Sequence, residues 1–201
     1  MASYARLKIS KIKKTDRLMD HEKIGFKEGT LLFHPVHGPV VVKKILKRPE
    51  LGGDGWCYWL QPRRQAPVGT SFYIAVTHIQ KAGFHPPLSR KEAGEILDYL
   101  KKREETEDSS PNARADEIHA LCQENTPWAF AKILLLLTEM KEHDFPKEGR
   151  KALKSAAQGL TQELAFVLKI PLDRAALRIR ECLRCFKRPN PQVEGALQRT
   201  G

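Results

Sequence analysis

The chain has 201 residues, 41% hydrophobic and 29% charged, which is enough apolar content for a buried core and argues against wholesale disorder. Its 35 Lys and Arg against 24 Asp and Glu leave a formal charge of +11, a balance that favours an anionic partner, nucleic acid first, or serves solubility. No apolar run approaches the ~20 residues of a membrane helix, the basic N-terminus lacks the apolar stretch and cleavage site of a secretory signal, and four cysteines make no disulfide framework for this length. A cytoplasmic protein without a membrane partner is the expectation.

The charge is unevenly placed. Residues 1–24 carry a net +4, residues 25–88 +5, residues 89–110 −2, residues 111–168 −1 and residues 169–201 +5. Cationic surface is therefore expected in the first half and at the C-terminal end, with a slightly acidic middle.

Residues 1–24 show no clean period and read as a basic arm. Residues 25–86 read as β structure: Leu31–Phe33, Val40–Val42 continuing to Ile45, Trp56–Leu60 and Phe72–Val76 are short strand-like runs. They are separated by the turn His37-Gly38-Pro39, the loop Arg48–Gly55 and the loop Pro62–Thr70, a spacing that suggests a small antiparallel barrel. Residues 87–188 read as helices. Ser89 with Glu92 matches a capping box, Asn125 or Thr126 followed by Pro127 opens a third helix, and apolar residues from Leu153 to Leu168 form a long stripe. Pro171 opens a last helix, Pro189 and Pro191 end it, and residues 189–201 read as a loose tail. The fold class is α+β: a small N-terminal antiparallel barrel followed by an all-α domain.

No catalytic constellation is visible. There is no phosphate-cradling GxxxxGK[ST], no HExxH, no GxSxG and no GxGxxG after a strand. Cys182 and Cys185 form a single CxxC without a second ligand pair, so they read as two thiols on one helix face rather than as a metal site. No enzyme activity, metal or cofactor is expected. Trp56 and Trp59, three apart on a strand, point to opposite faces, one for the core and one for an interface. Trp128, in the first turn of a helix, reads as packing against its neighbour.

Residues 26–45 (FKEGTLLFHPVHGPVVVKKI) resemble the opening of the CarD-type bacterial transcription regulators, F-x-x-G-D-x-V-V-x-P-x-H-G-x-x-x-V-x-x-I. Phe26, Gly29, Pro35, His37, Gly38, Val42 and Ile45 match, and Thr30 departs from the family's Asp. Gly83-Phe84 and Gln162-Glu163-Leu164-Ala165 resemble further family stretches, and the likeness spans roughly residues 25–187. It implies a Tudor-like barrel that docks on the β subunit of RNA polymerase by sheet-edge pairing and charge contacts, and a helical domain that touches promoter DNA.

In the family an arginine after the second strand helps the polymerase contact, and Arg48 falls there; a second family arginine falls on Tyr73. Lys47 and His37 complete the implied polymerase-binding set. The family's minor-groove tryptophan falls near Ser110, within Ser109–Arg114, where no tryptophan stands and Arg114 alone remains of the basic group. DNA is then reached instead by Arg174, Arg178, Arg184, Lys187 and Arg188, or the helical domain has exchanged DNA for another protein. The alternatives are a stand-alone nucleic-acid-binding protein acting through charge alone, or a protein-interaction scaffold.

Overall fold

The structure, a computed structural model, describes residues 25–51, 55–63, 71–102, 111–140, 147–186 and 189–200. The basic arm, most of the loop before Phe72, the polar linker before Pro111 with its Ser109 and Ser110, the His143–Pro146 break, Lys187 and Arg188 lie outside the described residues.

Among the described residues, turn chemistry divides the first half into four strands, β1 (Leu31–His34), β2 (Gly38–Lys47), β3 (Trp56–Pro62) and β4 (Phe72–Ala75). They form one antiparallel sheet in the order β1-β2-β3-β4. Leu32, Val40, Val42, Tyr58 and Leu60 line one face and close over Ile79 and Phe84 in a small core. The sheet does not close into the expected barrel. The outer edge of β1 bonds instead to the segment after the sheet: the Phe33 amide donates to the His85 carbonyl at 2.7 Å, and the His85 amide returns a bond of 3.1 Å. That pairing uses the backbone groups of β1 that closure onto β4 would need.

Among the described residues six helices follow: α1 (Arg90–Lys101), α2 (Pro111–Glu124), α3 (Pro127–Glu139), α4 (Lys147–Leu168), α5 (Leu172–Leu183) and α6 (Pro191–Thr200). Among the described residues, none is long and apolar enough to cross a membrane. Ser89 and Glu92 make the reciprocal capping box of α1, and Thr126 rather than Asn125 caps α3. Helix α3 is apolar almost all round, as expected of a helix enclosed by others, and the α4 stripe Leu153–Leu164 packs on it.

Helix α6 replaces the expected loose tail. Asn190, 2% exposed, ties it down: its amide donates to the Thr138 carbonyl at 3.2 Å, its Nδ2 donates to the Met140 carbonyl at 2.9 Å, and its Oδ1 accepts from the Gln192 amide at 2.9 Å. Pro191 occupies the first helical position, where a missing N–H costs nothing, and Val193, Ala196 and Leu197 are buried in the bundle core.

Sheet and bundle meet at the β1–β2 turn and at the segment leading into α1. Gly159 of α4 lies where Pro35 and the Phe130 ring press in; a Cβ there would come within 3.0 Å of Pro35 and 2.6 Å of Phe130. Phe33 packs on Phe166 with ring centroids 6.0 Å apart. The central contact is polar. Glu163, 1% exposed, accepts from the Leu88 amide through Oε1 at 3.0 Å, and its Oε2 lies 3.0 Å from His85 Nε2. A buried carboxylate is tolerated only when its oxygens are met in this way.

Leaving a buried hydrogen-bonding group without its partner costs about 1–3 kcal/mol for each group stranded. The Glu163→Ala chain, which strands the Leu88 amide and the His85 ring, is expected to melt on the order of 10 °C lower by calorimetry.

The β1–β2 turn holds a second polar device. His34 Nδ1 accepts from the amides of Val36 (3.0 Å) and His37 (3.2 Å), a role only the unprotonated nitrogen can play. The ring stacks on His37 at 4.5 Å and leans on Phe84 at 4.6 Å. Burial, reinforced by the His37 charge and more weakly by His85, outweighs a bond to the Ala82 backbone and pushes the His34 pKa down to about 4. The folded group is thus neutral where the unfolded one, near 6.5, is charged. Its contribution to stability is full above pH 6.5 and is lost as pH falls toward 4. His34→Asn, which keeps an acceptor near the same place and cannot titrate, is expected to flatten the fall of melting temperature between pH 7 and 4.5.

Candidate functional site: a cationic and aromatic sheet face

Strand alternation puts Tyr58 and Leu60 on the core side of β3 and Cys57 and Trp59 on the other side. Cross-strand register then decides who meets whom. Trp59 pairs with Tyr73 of β4 and with Lys44 of β2. The Trp59 and Tyr73 rings lie nearly parallel, 9° apart, with centroids 6.3 Å from each other. Arg48 leaves the end of β2 and lays its guanidinium 4.2 Å from the Tyr73 ring centre, a cation–π contact. Arg48 also lies 3.7 Å from Glu50, an exposed pair of small energetic weight. At the strand end, Lys47 Nζ lies 5.6 Å from the Trp56 ring centre.

The backbone holds Arg48 there. Its amide donates to the Gly55 carbonyl, closing the β2–β3 connection. Gly55 has φ +73°, and a Cβ would lie 3.3 Å from the Pro49 Cα. Beneath the patch Cys57 is buried, and burial pushes its thiol pKa up against the opposing pull of Arg48. The Trp59 indole N–H is buried without a hydrogen-bond partner among the described residues, an unmet donor at the patch. Tyr73 is 37% exposed and β4 is the open edge of the sheet.

Of the four residues expected to bind polymerase, the structure therefore joins Arg48 and Tyr73, sets Lys47 beside them on Trp56, and separates His37. His37 stands at the opposite end of the ten-residue β2, in the turn against His34 and Phe72, with a ring separation of 4.4 Å to Phe72. Its pKa is lowered by burial. Neither strand tryptophan is a core residue: Trp56 and Trp59 are both half-buried. Trp128 is 36% exposed and meets Tyr99 of α1 edge-on at 5.8 Å.

The residues expected to reach DNA do not form one cluster with Arg114. Arg174 and Arg178 are exposed one turn apart on α5, and Arg184 is exposed at that helix's C-terminus. Arg114 is half-buried on α2, its Nε enclosed without a hydrogen-bond partner among the described residues. The two thiols of the CxxC are free and do not share a face: Cys182 is buried on the core, while Cys185 lies past the end of α5 and is exposed. No group of three or more metal-ligating side chains exists among the described residues.

Sequence reasoning missed two features, of which one carried a signal. Glu163 falls on the buried side of an apolar stripe, three residues after Leu160, and a carboxylate placed there requires partners. The Trp59–Tyr73 stack required the register across β3 and β4, which no local pattern supplies. No family model and no curated protein matches the chain.

Gly55→Ala is expected to cost about 1–2 kcal/mol, because it combines a left-handed φ with a close approach to Pro49. In urea titration the midpoint should fall, and the Trp59 emission should report the displaced Arg48 loop.

Proposed function

We propose that the chain is a CarD-like, non-enzymatic transcription regulator that docks on the RNA polymerase β subunit through the outer sheet face and the open β4 edge. The observation that supports the reading best is the Arg48–Tyr73–Trp59 stack. Trp, Tyr and Arg are the residues most enriched where protein interfaces concentrate binding energy, and here they stand together on an exposed sheet face beside an edge strand whose backbone can add a partner strand. The position of Arg48 is the one at which the resemblance places a polymerase-contacting arginine. Tyr73 stands in place of the second family arginine and keeps a role in the same patch by stacking on the first.

The helical half adds promoter contact. The exposed Arg174 and Arg178 give α5 a cationic side that would make phosphate contacts rather than read bases. Such contacts add to a complex already held by the sheet.

The test is binding of the full chain to a polymerase β-subunit fragment. Arg48→Glu and Tyr73→Ala are each expected to weaken the complex by about tenfold or more, as for interface hot spots, with the far-ultraviolet dichroism unchanged. Affinity that survives both substitutions would remove this face from the docking surface. Arg174→Gln with Arg178→Gln should leave the β fragment's affinity intact and lower only the increment contributed by promoter DNA.

A further inference from the structure

A groove among the described residues lies remote from the sheet face. It runs between α4 and α6 with a volume of about 860 Å³, within the size range of small-molecule sites. Helix α4 lines it with one residue per turn: Arg150, Lys154, Gln158 and Gln162, a stripe about 18 Å long at 1.5 Å per residue. Helix α6 contributes Gln192 and Arg199 from the other wall. Among the described residues no carboxylate lines the groove and none of its three cations makes an ion pair.

Two local choices on these walls are unfavourable for folding. Arg150 and Lys154 are like charges at i and i+4, an arrangement that destabilises a helix. Gly195 sits inside α6, where alanine would stabilise by roughly 0.5–1 kcal/mol. What a side chain at 195 would meet is the groove itself and the flexible end of Arg199, whose Nη1 is 3.5 Å from the Cβ position. Rules broken together on facing walls of one cavity point to function: the glycine keeps the groove open and the repelling cations await an anion.

We infer that this groove binds a free nucleoside polyphosphate. Arg150, Lys154 and Arg199 supply charge-assisted bonds to the phosphates. Gln158, Gln162 and Gln192 offer paired amide donors and acceptors, the group that matches an adenine edge bidentately. A recess of this volume accommodates a nucleotide, whereas a duplex would reach only its rim. Helix α6 is needed for the site, and Asn190 fixes it to the end of α3, so the second wall is preformed.

The experiment is calorimetric titration of the full chain with ATP, GTP, inorganic triphosphate and a short DNA duplex, without polymerase. ATP or GTP is expected to saturate, and to bind more tightly than triphosphate. Gly195→Met, which fills the groove with a better helix former, and Lys154→Gln are each expected to weaken the nucleotide by about tenfold while leaving the dichroism and melting temperature at or above the parent's. Absence of saturable nucleotide binding overturns the inference. So does triphosphate or duplex binding as tight as the nucleotide's and indifferent to Gly195→Met, which would mark the groove cations as general surface charge.

Discussion

The buried carboxylate of Glu163 organises the molecule. It stands on α4 among apolar neighbours, where an unmet charge would be untenable, and both of its oxygens are met by the short segment His85–Leu88. That segment is also the strand-like partner of β1, through the paired backbone bonds of Phe33 and His85, and it leads directly into the Ser89 cap of α1. One side chain therefore fixes the exit from the sheet, the entry to the bundle and the covered edge of β1. The open sheet, rather than a closed barrel, follows from it: an edge already bonded to a segment pinned to α4 is not free to pair with β4.

This asymmetry gives the sheet a direction. Its β1 side is turned into the bundle, with Pro35 against Gly159 and Phe33 on Phe166, while β4 is the last strand of the sheet on the other side, with no further strand beside it among the described residues. The aromatic and cationic residues gather toward the open side, where Tyr73 on β4 receives both the Trp59 ring and the Arg48 guanidinium. Bare edge strands are an aggregation hazard, and charged or bulky flanking groups are a usual remedy. Here an arginine and two stacked rings stand beside the edge.

Local chemistry was readable in the sequence where it is local in the fold. The strands were marked by glycine and proline turns and by aromatic or β-branched runs, and the start of α1 by Ser89 and Glu92. Barrel closure was not readable, because it depends on whether β1 meets β4 or His85, a choice made by Glu163 more than seventy residues away. Helix α6 was lost because Pro189 and Pro191 read as a stop, although Pro191 at the first helical position is a start. The Val193, Ala196, Leu197 spacing was present but only ten residues long. At the site, Arg48 and Tyr73 were legible through the resemblance alone, and His37 was grouped with them because a one-dimensional motif does not show that a long strand separates its ends.

Two of the cationic surfaces among the described residues differ in kind. On the sheet, Arg48 lies over an aromatic ring with Glu50 nearby, and Lys47 lies over Trp56, so their charges are already partly engaged and their stems are ordered. Such groups lose little freedom when a protein surface covers them, and the rings beside them supply apolar area. In the α4–α6 groove the cations make no ion pair among the described residues, and Arg150 and Lys154 are like charges one turn apart, so an anion bound there would gain from relieving that repulsion as well as from direct bonding. Salt should therefore separate the two: screening acts strongly on the exposed, unpaired groove charges and weakly on contacts dominated by stacking and desolvation. The Glu163 contact links the two by holding the sheet to α4, whose other side forms a groove wall.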